Sequence, residues 1–112
     1  LARNPLLGAY FESFCTQLLI TLTHHSGTKP HCYHWRTNGG AELDLLFERD
    51  GTFYPIEIKC KTTLSKHDAR GIRAFRDSYP NLKVAPGLII YAGTQCYAVD
   101  EYAYAFPWNG IN

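Results

Sequence analysis

The chain has no methionine, no Cys-x-x-Cys pair, no long apolar run and only one acidic residue, Glu12, before position 42. A membrane-crossing helix needs about 18 or more consecutive apolar residues, so no such span is expected. No basic segment leads into an apolar one, as a secretory signal would. The four cysteines, at 15, 32, 60 and 96, are scattered. A domain of 112 residues can bury a core without disulfide staples, so they are read as reduced thiols of a cytoplasmic protein. The absence of methionine, together with Leu1, points to a domain excised from a longer polypeptide. Neither G-x-S-x-G nor G-x-x-x-x-G-K-[ST] occurs, which removes the serine-hydrolase elbow and the phosphate-binding loop from consideration. Internal repeats, linkers and low-complexity stretches are also missing. With a net charge of +1, global electrostatics select no partner.

What is present is an apolar fraction of 46%, spaced as in a globular domain. Asn4-Pro5 reads as an N-cap followed by proline at the first helical position. From there to about Thr23 the residues Leu7, Phe11, Phe14, Leu18 and Leu22, widened by Tyr10, Cys15 and Leu19, recur at helical spacing. Ser26 to Pro30 is a loop, and Cys32 to Arg36 a short aromatic strand. His31-Cys32-Tyr33-His34 puts Cys32 and His34 on one strand face; a closed zinc site needs four ligands, and ordinary packing is the simpler reading. After the turn Thr37 to Gly40 comes a hairpin, residues 40–59. A helix from Ser65 to about Tyr79 follows. Ser65 and Asp68 resemble a capping box, Ile72, Phe75 and Tyr79 face inward, and Pro80 is the stop. A strand broken early by Pro86-Gly87, a strand over "QCYAV" and a tail "YAYAFPW" closing over the domain complete the order α-β-β-β-α-β-β. That order means a single α/β domain, residues 1–112, with a mixed sheet flanked by helices.

The hairpin poses the functional question. Asp50-Gly51 is a two-residue turn signal, since Gly accepts positive φ. Arg49 then faces Thr52, and Asp44 falls opposite Glu57, Glu42 opposite Lys59. By alternation 42, 44, 57 and 59 share one face, and Leu43, Leu45 and Phe47 share the other with Ile56 and Ile58. Pro55 cannot donate a ladder hydrogen bond and marks an edge or a bulge. Two carboxylates opposite one another repel unless something offsets the charge, and a divalent cation is the natural candidate. Glu12 adds a carboxylate beside the apolar stripe of the first helix. Residues 59–76 hold six Lys or Arg and one acid, Asp68. Among them Lys66, Arg70 and Arg73 lie at i, i+4 and i+7, a stripe suited to a phosphate backbone.

The ordered series Glu12…Asp44…Glu57-Ile58-Lys59 resembles the core of the PD-(D/E)XK nuclease superfamily, with its restriction-endonuclease-like fold. More closely, "GAYFESF", "HWRTNGGAELDLLF", "PIEIKCK", "LSKHDARGIRAF", "GLIIYAGTQCYAV" and "FPW" resemble the uncharacterised domain at the C-terminus of many prokaryotic AAA+-type ATPases, over nearly the whole chain. The resemblance implies that Asp44, Glu57 and the Ile58 carbonyl bind Mg²⁺ or Mn²⁺, that Lys59 orients the attacking water, and that Glu12 completes the acidic site. It implies DNA as partner, met by Lys61, Lys66, Arg70 and Arg73, and an ATPase domain on the same polypeptide. Leu43 stands where the superfamily name has proline. Across from Lys59, Glu42 is placed to hold that lysine. Three readings stand side by side: a Mg²⁺-dependent DNA endonuclease, a catalytically silent DNA-binding domain, and a protein-interaction or homo-oligomerisation module using the aromatic tail Tyr102 to Trp108.

Overall fold

A computed structural model of the chain describes residues 5–25 and 31–110, without the side chains of residues 5–7, 10, 14 and 21–25. The expected Asn4 cap, the Ser26 to Pro30 loop and the side chains of Leu7, Tyr10, Phe14 and Leu22 therefore lie outside the described residues.

The hairpin forms as its turn dictates. Asp50 and Gly51 both adopt positive φ, 53° and 84°, the pair of left-handed residues that a two-residue turn needs to match the strand twist. Strands β2 (Glu42–Arg49) and β3 (Thr52–Lys59) pair antiparallel from Arg49↔Thr52 to Leu45↔Ile56. Strand β1 (His31–Arg36) pairs antiparallel with β2 at one edge of the sheet. After β3, a short 3-10 turn (Lys66–Ala69) leads into helix α2 (Arg70–Ser78), which ends ahead of Pro80. That helix is the crossover to β5 (Gly87–Tyr91), which lies parallel to β3, since parallel neighbours need such a connection. The two-residue strand β4 (Lys83–Val84) also pairs with β3.

Strand β6 (Tyr97–Asp100) is the far edge, and β7 (Ala103–Pro107) inserts between β6 and β5, parallel to β5. The expected closing tail is thus an inner strand. Its small residues explain why: Ala103 and Ala105 are buried against the sheet's neighbours while Tyr104 points out, the alternation of a strand with one tight face. Of the aromatic tail Tyr102 to Trp108, Trp108 packs edge-on against Phe11 at 6.1 Å, whereas Tyr102 and Tyr104 remain exposed.

The seven strands form one mixed sheet with a helix on each face. On one face α2 buries Ile72 and Phe75 against Leu43, Leu46, Ile89 and Ala103. On the other, α1 (Pro5–His25) lays Cys15, Phe11 and Leu19 over Leu45, Phe47, Ile56, Ile58 and Ile90. Tyr79, expected inward, is exposed and accepts a hydrogen bond from Trp35 Nε1 at 3.2 Å. Among the described residues no helix is long and apolar enough to cross a membrane, and all four cysteines are free.

Two departures from regular pairing set up the site. The first is a bulge. Tyr33 faces Leu46 but Trp35 faces Leu43, so Asp44 and Leu45 together oppose His34. The extra residue turns Leu43 to the same face as Leu46, opposite Leu45 and Phe47, and corrects the expectation that Leu43, Leu45 and Phe47 share a face. The second concerns Pro55, which is buried in the ladder opposite Leu46 with no bulge between β2 and β3. Its nitrogen points away from β2, on the side where Phe53 O accepts Ala85 N–H. There the partner of β3 changes from β4 to β5, so no ladder bond is forfeited.

Helix α2 approaches the sheet through Gly71. A Cβ at Gly71 would collide with the Glu42 carbonyl oxygen and come 2.7 Å from Glu57 Oε2. The obstruction is backbone and cannot rotate away. Gly71→Ala is therefore expected to destabilise the domain by about 1–3 kcal/mol, read as a lowered denaturant midpoint with an unchanged m-value.

Candidate functional site

Beyond Leu45↔Ile56 the β2–β3 ladder stops. In its place Asp44 Oδ2 accepts the Ile58 backbone N–H at 2.6 Å. The two strands part there, and a side-chain carboxylate does the work of a backbone carbonyl. N–H and C=O of one strand residue project to the same side. The Ile58 carbonyl therefore points into the gap where Asp44 stands.

A groove of about 210 Å³ opens at this fork, lined by Glu42, Asp44, Glu57, Lys59, His67 and Arg70, with Gly71 at its base. It is smaller than the ~300–1,000 Å³ of ligand pockets for drug-sized molecules and is polar throughout. Glu57 is only 6% exposed. Burial pushes its carboxyl up to about 8, with the adjacent Asp44 charge adding to the rise and Lys59 opposing it. Glu57 and Asp44 share a side-chain hydrogen bond, so at neutral pH the pair holds one proton between two carboxyls. Glu12 reaches the same Asp44 from α1. Its carboxyl is raised by partial burial first, then by Asp44 and Glu42, and it too hydrogen-bonds Asp44. Asp44 is the hub of three acids.

The structure thus brings Glu12, Asp44, Glu57 and Lys59 together. Glu42 lines the groove but does not hold Lys59: its ion-pair partner is Arg36, its neighbour across the β1–β2 ladder, at 3.8 Å. The basic residues separate into two groups. Lys61 is committed to Asp68, at 2.7 Å. That buried carboxylate also accepts the Ser65 N–H, as the expected cap would have it. Burial alone would raise Asp68; Lys61 and the Ser65 N–H outweigh it and hold the carboxyl below its ordinary range. Arg73 is committed to Asp100 and to the Lys66 carbonyl, at 2.8 and 2.9 Å. Arg76 donates to the Val84 and Ala85 carbonyls and lies over the Tyr102 ring at 4.2 Å. The stripe Lys66, Arg70, Arg73 is therefore divided: Arg70 faces the groove, whereas Lys66 and Arg73 border a separate concavity with Asp100, Glu101 and Tyr102. His67 was not singled out from the sequence. The signal was there, since it stands three residues before Arg70 and such residues share one side of a helical turn.

The donors at the fork are hard oxygens: two carboxylates that already share a proton, the Glu12 carboxylate on the same hub and the Ile58 carbonyl. That set suits Mg²⁺ or Mn²⁺, which take carboxylate and carbonyl oxygens and retain waters. As the side chains stand, no group of three or more His, Cys, Asp or Glu among the described residues forms a ready metal shell. The fit thus rests on two protein carboxylates and a carbonyl, with water or substrate oxygens completing the shell. His31, Cys32 and His34 are exposed on the edge strand, with the His31 ring stacked on Tyr33 at 6.3 Å, and among the described residues they gather no further ligands.

Fold and groove define a mixed α/β domain that concentrates carboxylates and a lysine where two antiparallel strands separate. The chain belongs to the family described as a domain of unknown function, DUF4143, which it matches over residues 7–111. It is 35% identical over 111 residues to the uncharacterised proteins Rv2008c of Mycobacterium tuberculosis and Mb2031c of Mycobacterium bovis; each match covers 99% of this chain and 23% of the relative. The chain thus spans about a quarter of the length of these curated relatives. No solved structure matches it.

The shared proton makes stability depend on pH. The folded-state value of Glu57, about 8, lies above the ordinary 4.5. Its contribution is complete below pH 4.5 and is lost as the pH rises through about 8. Stability measured without metal should fall across that window by a few kcal/mol. Glu57→Gln, neutral at every pH, should remove most of the fall and make the domain more stable than the parent at pH 8.

Proposed function

We propose that the groove is a metal-dependent phosphodiester-hydrolysing site of the restriction-endonuclease-like kind, acting on DNA, and that the domain serves as the DNA-engaging module of a larger ATPase. The observation that carries this reading is the carboxylate pair Asp44–Glu57, held against its own repulsion at a strand fork with Lys59 beside it. A structural role would be met better by apolar residues, which bury without a shared proton. The order Glu12, Asp44, Glu57, Ile58, Lys59 along the chain and the mixed sheet with a helix on each face agree with that superfamily.

In this reading Asp44, Glu57 and the Ile58 carbonyl hold Mg²⁺ or Mn²⁺, with Glu12 joining through Asp44 or water. The bound cation supplies charge stabilisation to the phosphate and acidity to a bound water. The protein's own residues do the rest. Asp44 keeps the fork open by taking the Ile58 N–H. Glu57 would hold the cation as its carboxylate, its proton having passed to water. Lys59, two residues on and on the same face of β3, orients the attacking water.

The test compares the parent with Asp44→Asn. Asparagine keeps an oxygen acceptor for the Ile58 N–H and removes the charge, so the fold should persist with a change of about 1 kcal/mol or less. Calorimetric uptake of Mn²⁺ in the presence of a DNA duplex, and nicking of a supercoiled plasmid, should both be present in the parent and absent in the variant. Unfolding by this substitution, with no metal uptake by the parent, would make the carboxylates structural. Salt-sensitive DNA binding without metal uptake or nicking would leave a silent DNA-binding domain.

A further inference from the structure

The basic segment 59–76 spends half of its cations on its own fold. Lys61, Arg73 and Arg76 are each engaged by an internal carboxylate or by carbonyls. Lys59, Lys66 and Arg70 remain, and of these Lys59 and Arg70 line the groove, together with His67. The groove thus has two unlike walls. Glu42, Asp44 and Glu57 come from β2 and β3, with Glu12 of α1 adjoining Asp44. His67 and Arg70 come from the 3-10 turn and the first residue of α2.

Arg70 is exposed and, among the described residues, pairs with none of the acids across the groove; Glu42 pairs with Arg36, while Lys61 and Arg73 pair with Asp68 and Asp100. A guanidinium held near carboxylates without joining them has its five donors available to an anion in between. His67 has a ring N–H to offer in either protonation state. Gly71 fixes the spacing, because its missing side chain lets this turn sit directly on the Glu42 backbone.

We propose that His67 and Arg70 form the phosphate-anchoring wall of the groove. The phosphodiester sits between this wall and the carboxylate pair. Arg70 takes two of its oxygens as a fork and His67 donates to a third. This deepens the hydrolytic reading and rests on it for the identity of the bound anion. It also reassigns the DNA contact: Lys61 and Arg73, once freed from their carboxylates, would unlock the β3–α2 connection rather than bind phosphate.

The experiment measures binding of a short fluorescent DNA duplex in Ca²⁺, a hard cation that occupies oxygen sites. It compares the parent chain with Arg70→Ala, Arg70→Lys, His67→Ala and a control, Lys83→Ala. Lys83 lies beside Thr52 at the other end of β3, about 23 Å along the strand from Lys59 at 3.3 Å per residue. Losing a charge-assisted bidentate contact should weaken binding about tenfold or more for Arg70→Ala. His67→Ala should weaken it about threefold or more, as for a single hydrogen bond. Arg70→Lys, which keeps the charge and loses the fork, should fall between parent and Arg70→Ala. Melting curves should be unmoved, because both side chains are exposed; were Arg70→Ala to unfold, Arg70→Lys carries the comparison. The proposal is overturned if the parent does not bind the duplex, or if Arg70→Ala and His67→Ala stay within about twofold of Lys83→Ala. Nicking in Mn²⁺ by the same proteins separates the two readings. Weakened binding without nicking by the parent keeps the wall and removes hydrolysis. Nicking by the parent with unaltered binding by Arg70→Ala keeps hydrolysis and removes the wall.

Discussion

One hydrogen bond organises the functional end of this domain: the Ile58 N–H donating to the Asp44 carboxylate at 2.6 Å. A regular hairpin would give that N–H to a backbone carbonyl of β2. Here the bulge opposite His34 has rotated the β2 backbone, and the side chain of Asp44 replaces the lost acceptor. The N–H is satisfied, so the strands can part without leaving a buried orphan donor, a loss of about 1–3 kcal/mol. Everything else at the site follows from that parting. The Ile58 carbonyl turns into the gap, Glu57 comes beside Asp44, and Glu12 reaches in from the helix on the opposite face of the sheet.

The electrostatics of the groove are correspondingly local. With a net charge of +1, the chain has no long-range field to steer a polyanion. Half of the cations in its basic segment are consumed in fixing the β3–α2–β5 crossover. Lys61 neutralises the buried Asp68 that caps the turn. Arg73 ties α2 to β6 through Asp100. That carboxyl lies below its ordinary range, since the Tyr102 N–H and Arg73 outweigh its burial. Arg76 clamps the Val84 and Ala85 carbonyls. Each tie sets the position of the turn carrying His67 and Arg70. Positive charge therefore serves this domain as scaffold, and in the proposed reading two or three further residues are left to face an anion.

Much of this was legible in the sequence because it is governed by local chemistry. Asp50-Gly51 fixed the hairpin register from Arg49↔Thr52 to Leu45↔Ile56 and so brought Asp44 near Glu57, but the expected pairs Asp44 with Glu57 and Glu42 with Lys59 do not form, because the strands part there. Pro80 ended α2 and Asp68 reached back to the Ser65 N–H. The bulge was not legible: Leu43, Asp44 and Leu45 carry no glycine or proline to announce it, and its cause is the pairing with β1. Pro55 suggested a bulge in the wrong strand, because the break between β4 and β5 that accommodates its missing donor lies some thirty residues further on. The inner strand β7 was missed for a related reason. Its buried alanines give a weak apolar alternation, and only the tight face beneath them explains their size. The pairing of Arg73 with Asp100 spans 27 residues, beyond any helical spacing rule.

The same comparison bears on what the carboxylates are for. Across the described residues, turn chemistry, helix stops, capping and core alternation agree with the fold, as they do in sequences that fold to one structure. The fork is where agreement fails. A carboxyl 6% exposed, raised to about 8, stands beside a second acid that needs it protonated, in a position where leucine or glutamine would cost less. Buried acids tied into ion pairs, such as Asp68 with Lys61, show what a structural carboxylate looks like in this chain: its charge is met and its pKa falls. Glu57 shows the opposite. Lys59 lowers its pKa without overcoming burial and Asp44, so the charge of this carboxyl is not met by the residues around it. A strongly raised acid facing a cleft is a candidate functional group on physical grounds, and the contrast between Asp68 and Glu57 supports the proposed reading within a single fold.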